Sequence, residues 1–371
     1  MILLILGIVM FIGLVVVHEF GHFIMARRGG VEVEEFGIGF PPRVWAKRVK
    51  SPKGDYDFSI NALPLGGFVK LKGENDADTA KGSFGAASLS TKVKIMVAGV
   101  VMNLVTAFAL LTLVALAGMP KLIENQFTVT SDTKVVKQQV LVAHVESGSP
   151  AEKAGLQVRD QLLGVDGQRI QTAEDFPTAT QQLAGKNVAI TYQRDGQERS
   201  TSAQLRSQAE VEASKQTDQP KGYLGVGPSE YIINRSTWSA PIVAGGLIKQ
   251  FTVQTFKGLG SALASVFRGE GGKASEQVAG PVGIFVILKD GSLLGYQFVL
   301  LIIAIISLTL AIMNVLPIPA LDGGRLFVTL VFRAVRRPLA KKTEDLIHGG
   351  GFAFLMLLFV VITVVDVRRF F

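Results

Sequence analysis

Five consecutive residues carry the first chemical signal in this chain: His18-Glu19-Phe20-Gly21-His22. Histidines four apart share one face of a helix, where two imidazoles can grip a single Zn²⁺. The glutamate beside the first can take a proton from water activated by that ion, the role of a general base. The setting sharpens the signal, because residues 2–17 are all apolar or glycine and the chain holds only four histidines. An unpaired ionisable group in hydrocarbon costs about 3 kcal/mol, so three of them together imply a use.

Two histidines leave a catalytic zinc site one ligand short, since such sites take three protein ligands and keep a fourth position for water. The chain has no cysteine, which also excludes disulfide scaffolds, thiolate nucleophiles and iron–sulfur clusters. The candidate is Asp322, in Asn314-Val-Leu-Pro317-Ile-Pro319-Ala-Leu321-Asp322-Gly323-Gly324. Its prolines break a helix and free backbone carbonyls, tolerable at membrane depth only where protein or a watery cavity receives them. An aspartate capping an ordinary helix exit is the plain alternative. His348 is a rival ligand, but a histidine followed by three glycines reads better as a lone surface side chain. His144 lies in a segment of strand character and reads as structural.

These residues need apolar elements to hold them. Across 371 residues the chain is 48% hydrophobic and 18% charged, where a soluble surface usually needs about a quarter charged. Residues 2–17 (continuing to Ala26), 95–118, about 297–316 and about 349–365 are nearly uncharged, and each approaches the roughly 20 residues that span a bilayer core. No basic residue precedes the first run, Arg27 and Arg28 follow it, and no small-residue cleavage site is evident. It reads as an uncleaved membrane helix with its N-terminus outside.

Charge placement sets the expected topology. Residues 27–94 carry 12 Lys/Arg against 8 acids, and 325–348 carry 6 against 2, whereas 119–296 are nearly balanced at 18 against 17. The two basic loops should be cytoplasmic and the long segment extracytoplasmic, with both termini outside. Run one then ends inside, as does run three, which brings Asp322 to the same face as His18 and His22. His18 lies nine residues before Arg27, about 13 Å deep at a rise of about 1.5 Å per residue. The net charge of +8 therefore reads as orientation and lipid contact, not as a nucleic-acid surface.

The combination of His18-Glu19-x-x-His22 in a first membrane helix with Asn314-x-x-Pro317-x-Pro319-x-Leu321-Asp322-Gly323 in a later one resembles the site-2 protease family of intramembrane zinc metalloproteases, peptidase family M50. Within it, the chain is most similar to the bacterial regulator of sigma-E protease group. Gly66-Gly67-Phe68-Val69-Lys70, Gly280-Pro281-Val282-Gly283-Ile284 and Asn103 extend the resemblance over nearly the whole chain; Val100 departs from it where proline is expected. The resemblance implies one Zn²⁺ on His18, His22 and Asp322, Glu19 as general base and Asn314 assisting near the scissile carbonyl. Gly66, Gly67, Phe68, Val69 and Asn103 would contact substrate. It also implies a bacterial inner-membrane enzyme acting on single-pass membrane proteins, such as an anti-sigma factor in regulated intramembrane proteolysis, or clearing signal-peptide remnants.

Other segments fill in the expected architecture. Residues 55–60 alternate, and Phe68 to Lys72 form a second short run after a Pro/Gly turn, which suggests a membrane-associated β-hairpin whose free edge can add a substrate strand. Residues 127–207 resemble a PDZ domain, with Pro150 at a helix start and turns at Asp166-Gly167 and Asp195-Gly196. Such a domain binds extended peptides or C-termini, or excludes intact substrates by bulk. Residues 208–222 read as polar linker, 222–226 as a strand closing or extending the PDZ region, and 239–267 as an amphipathic helix on the membrane surface. The expected fold is a polytopic α-helical membrane protein with four transmembrane helices, the β-hairpin and an inserted extracytoplasmic PDZ domain. It divides into an N-terminal membrane part (1–118), the PDZ domain (127–207), a linker and amphipathic region (208–296) and a C-terminal membrane part (297–371).

Overall fold

The computed structural model describes residues 1–217, 220–269 and 279–371. They form two compact units, one of Met1–Ala117, Gln126–Val129 and Thr237–Phe371, the other of Gly118–Asn125 and Thr130–Ser236.

The first unit opens with α1 (Ile2–Arg28), apolar throughout except near the His-Glu cluster and ending on Arg27 and Arg28, where cations suit the carbonyl end of a helix. Its buried residues are Gly7, Leu14, His18, Gly21, His22 and Ala26. The small members of that set allow close packing: a Cβ at Gly21 would lie 2.6 Å from the carbonyl oxygen of Ala98. Next come β1 (Val33–Val49) and β2 (Tyr56–Leu71), which pair with each other.

Both strands are bent. Residues 35–38 have partners at 57–60 on one side and at 67–70 on the other, and 45–49 pair with 56–60. Residues 67–71 therefore form an edge. The runs 55–60 and 68–72 are not paired with each other, contrary to the hairpin expected from sequence. Both belong to β2, and β1 lies between them. Gly37, Gly39, Pro41 and Pro42 interrupt β1's alternation and conceal it as a strand. After a polar loop, α2 (Leu89–Ala117) follows.

The second unit holds β3 (Met119–Pro120), β4 (Lys134–Val145), α3 (Pro150–Lys153), β5 (Gln161–Val165), β6 (Gln168–Arg169), α4 (Asp175–Gln182), β7 (Asn187–Arg194), β8 (Gln197–Gln204), α5 (Gln208–Ser214) and β9 (Val226–Arg235). The sheet order is β3-β9-β4-β5-β7-β8, with β6 on β5. Val140, Leu162, Val188, Ile190 and Leu224 belong to its core. Pro150 starts α3 behind an N-capping Ser149. Asp166, Gly167, Asp195 and Gly196 all take positive φ, as two-residue hairpin turns require.

The unit is larger than the 127–207 module read from sequence. β9 pairs along most of β4, so the sheet is incomplete without it. Residues 208–222 contain α5, closed by a capping box between Ser207 and Glu210; the Ser207 backbone N–H holds the Glu210 carboxyl below its usual range. A strand reached only after a helical excursion announces its sheet by long-range pairing, which local pattern does not carry.

The chain returns to the first unit with α6 (Ala240–Phe267), which packs along α2. Then follow α7 (Pro281–Leu294), α8 (Tyr296–Val315), α9 (Asp322–Ala334) and α10 (Lys341–Phe370). Among the described residues, four helices are long and apolar enough to cross a membrane: α1, α2, α8 and α10. α8 packs against both α1 and α2, with half of its apolar window buried, against 6% for α10. The core of this unit is thus α1, α2 and α8, and α10 is peripheral.

Candidate metal centre

α1 projects His18 and His22 from one face, as their spacing requires. His18 Nε2 and His22 Nε2 lie 3.2 Å apart, and Asp322 Oδ2 is 3.0 Å from the first and 3.2 Å from the second. Among the described residues this is the one group of three His, Asp or Glu side chains arranged to hold a metal ion.

Each imidazole is fixed from behind. His22 Nδ1 donates to the Ile95 carbonyl at 2.8 Å, which leaves Nε2 with its lone pair turned towards Asp322. His18 Nδ1 meets the side-chain amide of Asn103 at 3.2 Å, and the Ser307 hydroxyl donates to the Asn103 carbonyl at 2.8 Å, tying α2 to α8 behind the site. Metal-ligating histidines are commonly oriented through their other nitrogen in this way.

Asp322 is the first residue of α9. Ala320 bends the chain with φ of +76°, and the two glycines after Asp322 let α9 begin hard against the exit of α8. A Cβ at Gly323 would collide with the Val315 backbone, and one at Gly324 with Ile318. The Gly323-Gly324 pair is therefore a steric requirement of this turn.

These residues fit a zinc ion. Two imidazole nitrogens with their other nitrogens engaged, plus one carboxylate, are the donor set of a catalytic zinc site with an open fourth position. Gly99 supplies a further observation: a Cβ there would lie 2.5 Å from His22 Nε2 and 2.7 Å from His18 Nε2. The backbone of α2 thus leaves room beside the two candidate ligand atoms that any side chain would fill.

Glu19 is partly buried, with the backbone amide of Val69 close to its carboxylate. Gly66, at φ of +145°, lies against Val15, and Gly67 against Val16 and the Gly37 carbonyl. The β2 edge therefore lies along α1 beside Glu19.

Other residues singled out from sequence are placed differently. Asn103, expected to meet substrate, is fully buried and engages His18. The Asn314 amide donates to the Leu310 carbonyl of its own helix at 3.0 Å. His348 is no lone surface residue: its Nδ1 accepts from the Ala320 backbone N–H at 3.4 Å, and Gly351 lets α10 rest against Pro319. The sequence reading passed over Gly99 and Ile95, whose contribution is a missing side chain and a backbone carbonyl.

Residues 6–358 match the description Peptidase family M50. The chain belongs to this family. A Clostridium perfringens protein whose name places it among zinc metalloproteases is 30% identical over 98% of each chain. Zinc metalloprotease RasP of Shouchella clausii is 27% identical, again over 98% of each, and the RasP of Geobacillus kaustophilus is 25% identical over 98% of this chain and 97% of its own. A solved PDZ domain of an SdrC-like protein from Listeria monocytogenes covers 26% of the chain at 19% identity and a TM-score of 0.21, which carries no weight for the fold. This M50 chain carries its His-Glu-x-x-His segment on a helix suited to a membrane, and Asp322 at the start of the shorter helix that follows another.

Proposed function

We propose that this protein is an intramembrane zinc metalloendopeptidase that hydrolyses peptide bonds in or near the membrane-spanning segments of other proteins. The observation that carries the reading is the meeting of His18, His22 and Asp322, with Glu19 one residue along the same helix. The relatives' names point the same way.

His18, His22 and Asp322 would hold the ion, which when bound acidifies water and polarises a peptide carbonyl. Glu19 accepts a proton from water and returns it to the leaving amine, with the Val69 amide steadying its carboxylate. Asn103 keeps His18 in register. Asn314, the penultimate residue of α8 before the Asp322 loop, would assist at the carbonyl once its amide turns from Leu310.

A helical substrate hides its carbonyls in backbone bonds, so it must be extended before it can be cut. Residues 67–71 form a strand edge beside Glu19, and adding the substrate there as a further strand would hold it open at the site. Single-pass membrane proteins fit this route, among them an anti-sigma factor at its second cut and remnant signal peptides. The basic loops favour a site towards the cytoplasmic face of a bacterial inner membrane, with the second unit outside. That unit, read as a PDZ domain, receives an extended peptide or C-terminus, or excludes bulky substrates.

The test is a Glu19→Gln protein, reconstituted with a model transmembrane substrate and assayed for zinc by elemental analysis. It should keep its zinc and lose about 10²- to 10⁴-fold in cleavage rate. Cleavage at the unmodified rate would sink the mechanism, and loss of zinc would move Glu19 into the ligand set.

A further inference from the structure

α9 is an amphipathic helix turned the unusual way round. Phe327, Leu330, Val331 and Ala334 recur at i, i+3, i+4 and i+7 and share one face. That face is exposed: Phe327 by 53%, Leu330 by 42% and Val331 by 40%, with Val335 continuing it at 58%. The opposite face is fastened to protein. Thr329 is buried, Leu326 packs against the cluster containing Phe84 and Ile95, and Arg325 donates to the Glu74 carbonyl while its guanidinium covers the Phe84 ring.

Position and charge say what covers the outward face. α9 joins the end of α8 to the start of α10, two candidate spans, so it lies at the membrane surface where both meet. Arg333, Arg336, Arg337, Lys341 and Lys342 follow its apolar face, all exposed, and no acidic residue falls between Asp322 and Glu344. Among the described residues none of these five forms an ion pair. An apolar face seated in the acyl boundary with cations at its end is the pattern that binds anionic lipid surfaces.

We propose that α9 is an interfacial helix whose exposed apolar face enters the membrane and whose Arg333–Lys342 cations bind the headgroups of anionic phospholipids. This inference rests only on the membrane-spanning reading of the four helices, and it stands or falls independently of peptide hydrolysis.

The absence of native cysteine makes the test direct. A single Val331→Cys, labelled with a fluorophore, is placed in the full-length protein in phosphatidylcholine vesicles with and without phosphatidylglycerol. A second protein labelled at Gln197→Cys, an exposed residue at the start of β8 beside the Asp195-Gly196 turn, serves as the aqueous control. Brominated lipid should quench the label at 331 and aqueous iodide should not, with the reverse at 197. Brominated phosphatidylglycerol should quench position 331 more strongly than brominated phosphatidylcholine. Adding Arg336→Gln and Arg337→Gln should weaken that preference by about fivefold per residue. Iodide access at 331 equal to that at 197 would overturn the interfacial placement. Equal quenching by the two lipids would overturn the anionic-lipid site.

Discussion

A Cβ at Gly99 would lie 2.5 Å from His22 Nε2, so the backbone of α2 forms one wall of the candidate metal centre. The expected consequence of Gly99→Ala is displacement of both imidazoles, since the methyl would also crowd His18. Relief by moving the rings is opposed by the Ile95 and Asn103 bonds behind them. Zinc affinity, measured by competition with a chromogenic chelator, should fall by about 10- to 100-fold, the usual scale for a disturbed ligand orientation. Unchanged zinc affinity in a folded Gly99→Ala protein would show that the rings can move away freely.

Asn103 should act through His18. Asn103 Nδ2 faces His18 Nδ1; once His18 Nε2 ligates an ion, the proton belongs on Nδ1, and the Asn103 amide oxygen becomes the acceptor it requires. A half-turn of the amide presents either end to that nitrogen. Asn103→Ala removes the acceptor and should weaken zinc binding by about 10- to 100-fold, whereas Asn103→Asp keeps an acceptor and should recover part of it. Equal loss in both variants would point to packing between α1, α2 and α8 as the real role.

How much of this could be read from the sequence depended on how locally each feature is encoded. The four apolar helices announce themselves, because spanning a membrane constrains a whole segment's composition. Histidines one turn apart signal a shared helix face, and Asp-Gly pairs signal left-handed turns. β1 was missed because Gly37, Gly39, Pro41 and Pro42 break its alternation, and its pairing on both sides with β2 is a tertiary fact. The span of β9 depends on β4, far away in sequence. At the site, side chains that can ligate were visible, but the Ile95 carbonyl, the space at Gly99 and the bond from Ala320 to His348 were not. Backbone atoms and absent side chains leave no residue type to recognise.

Arg325 connects α9 to the polar loop before α2. It donates to the Glu74 carbonyl, covers Phe84 and lies 4.0 Å from the buried Glu344 carboxylate. Arg325→Ala should cost about 1–3 kcal/mol through groups left without a donor. Arg325→Lys should recover little, because an ammonium lacks the planar fork. Thermal unfolding in detergent measures both. A double-mutant cycle with Glu344→Gln should give a coupling of at least about 0.5 kcal/mol; strict additivity would show that the two groups do not interact.

Asp366 should matter for how α10 is held. Its carboxylate, 1% exposed, accepts the Gly283 backbone N–H at 2.7 Å at the start of α7, while most of α10 between its ends is exposed. At the other end α10 is fixed by Glu344, which accepts from the Asp76 backbone, and by the contact of Gly351 with Pro319. A helix pinned at its ends responds sharply to loss of one pin. Asp366→Ala leaves a buried N–H without an acceptor and should cost about 1–3 kcal/mol, while Asp366→Asn keeps an oxygen and should cost less. The loss should be local, so limited proteolysis near residues 279–295 should accelerate in the alanine variant while zinc affinity stays within a factor of about two. A fall in zinc affinity equal to that of Gly99→Ala would mean that α10 braces the metal centre along its whole length.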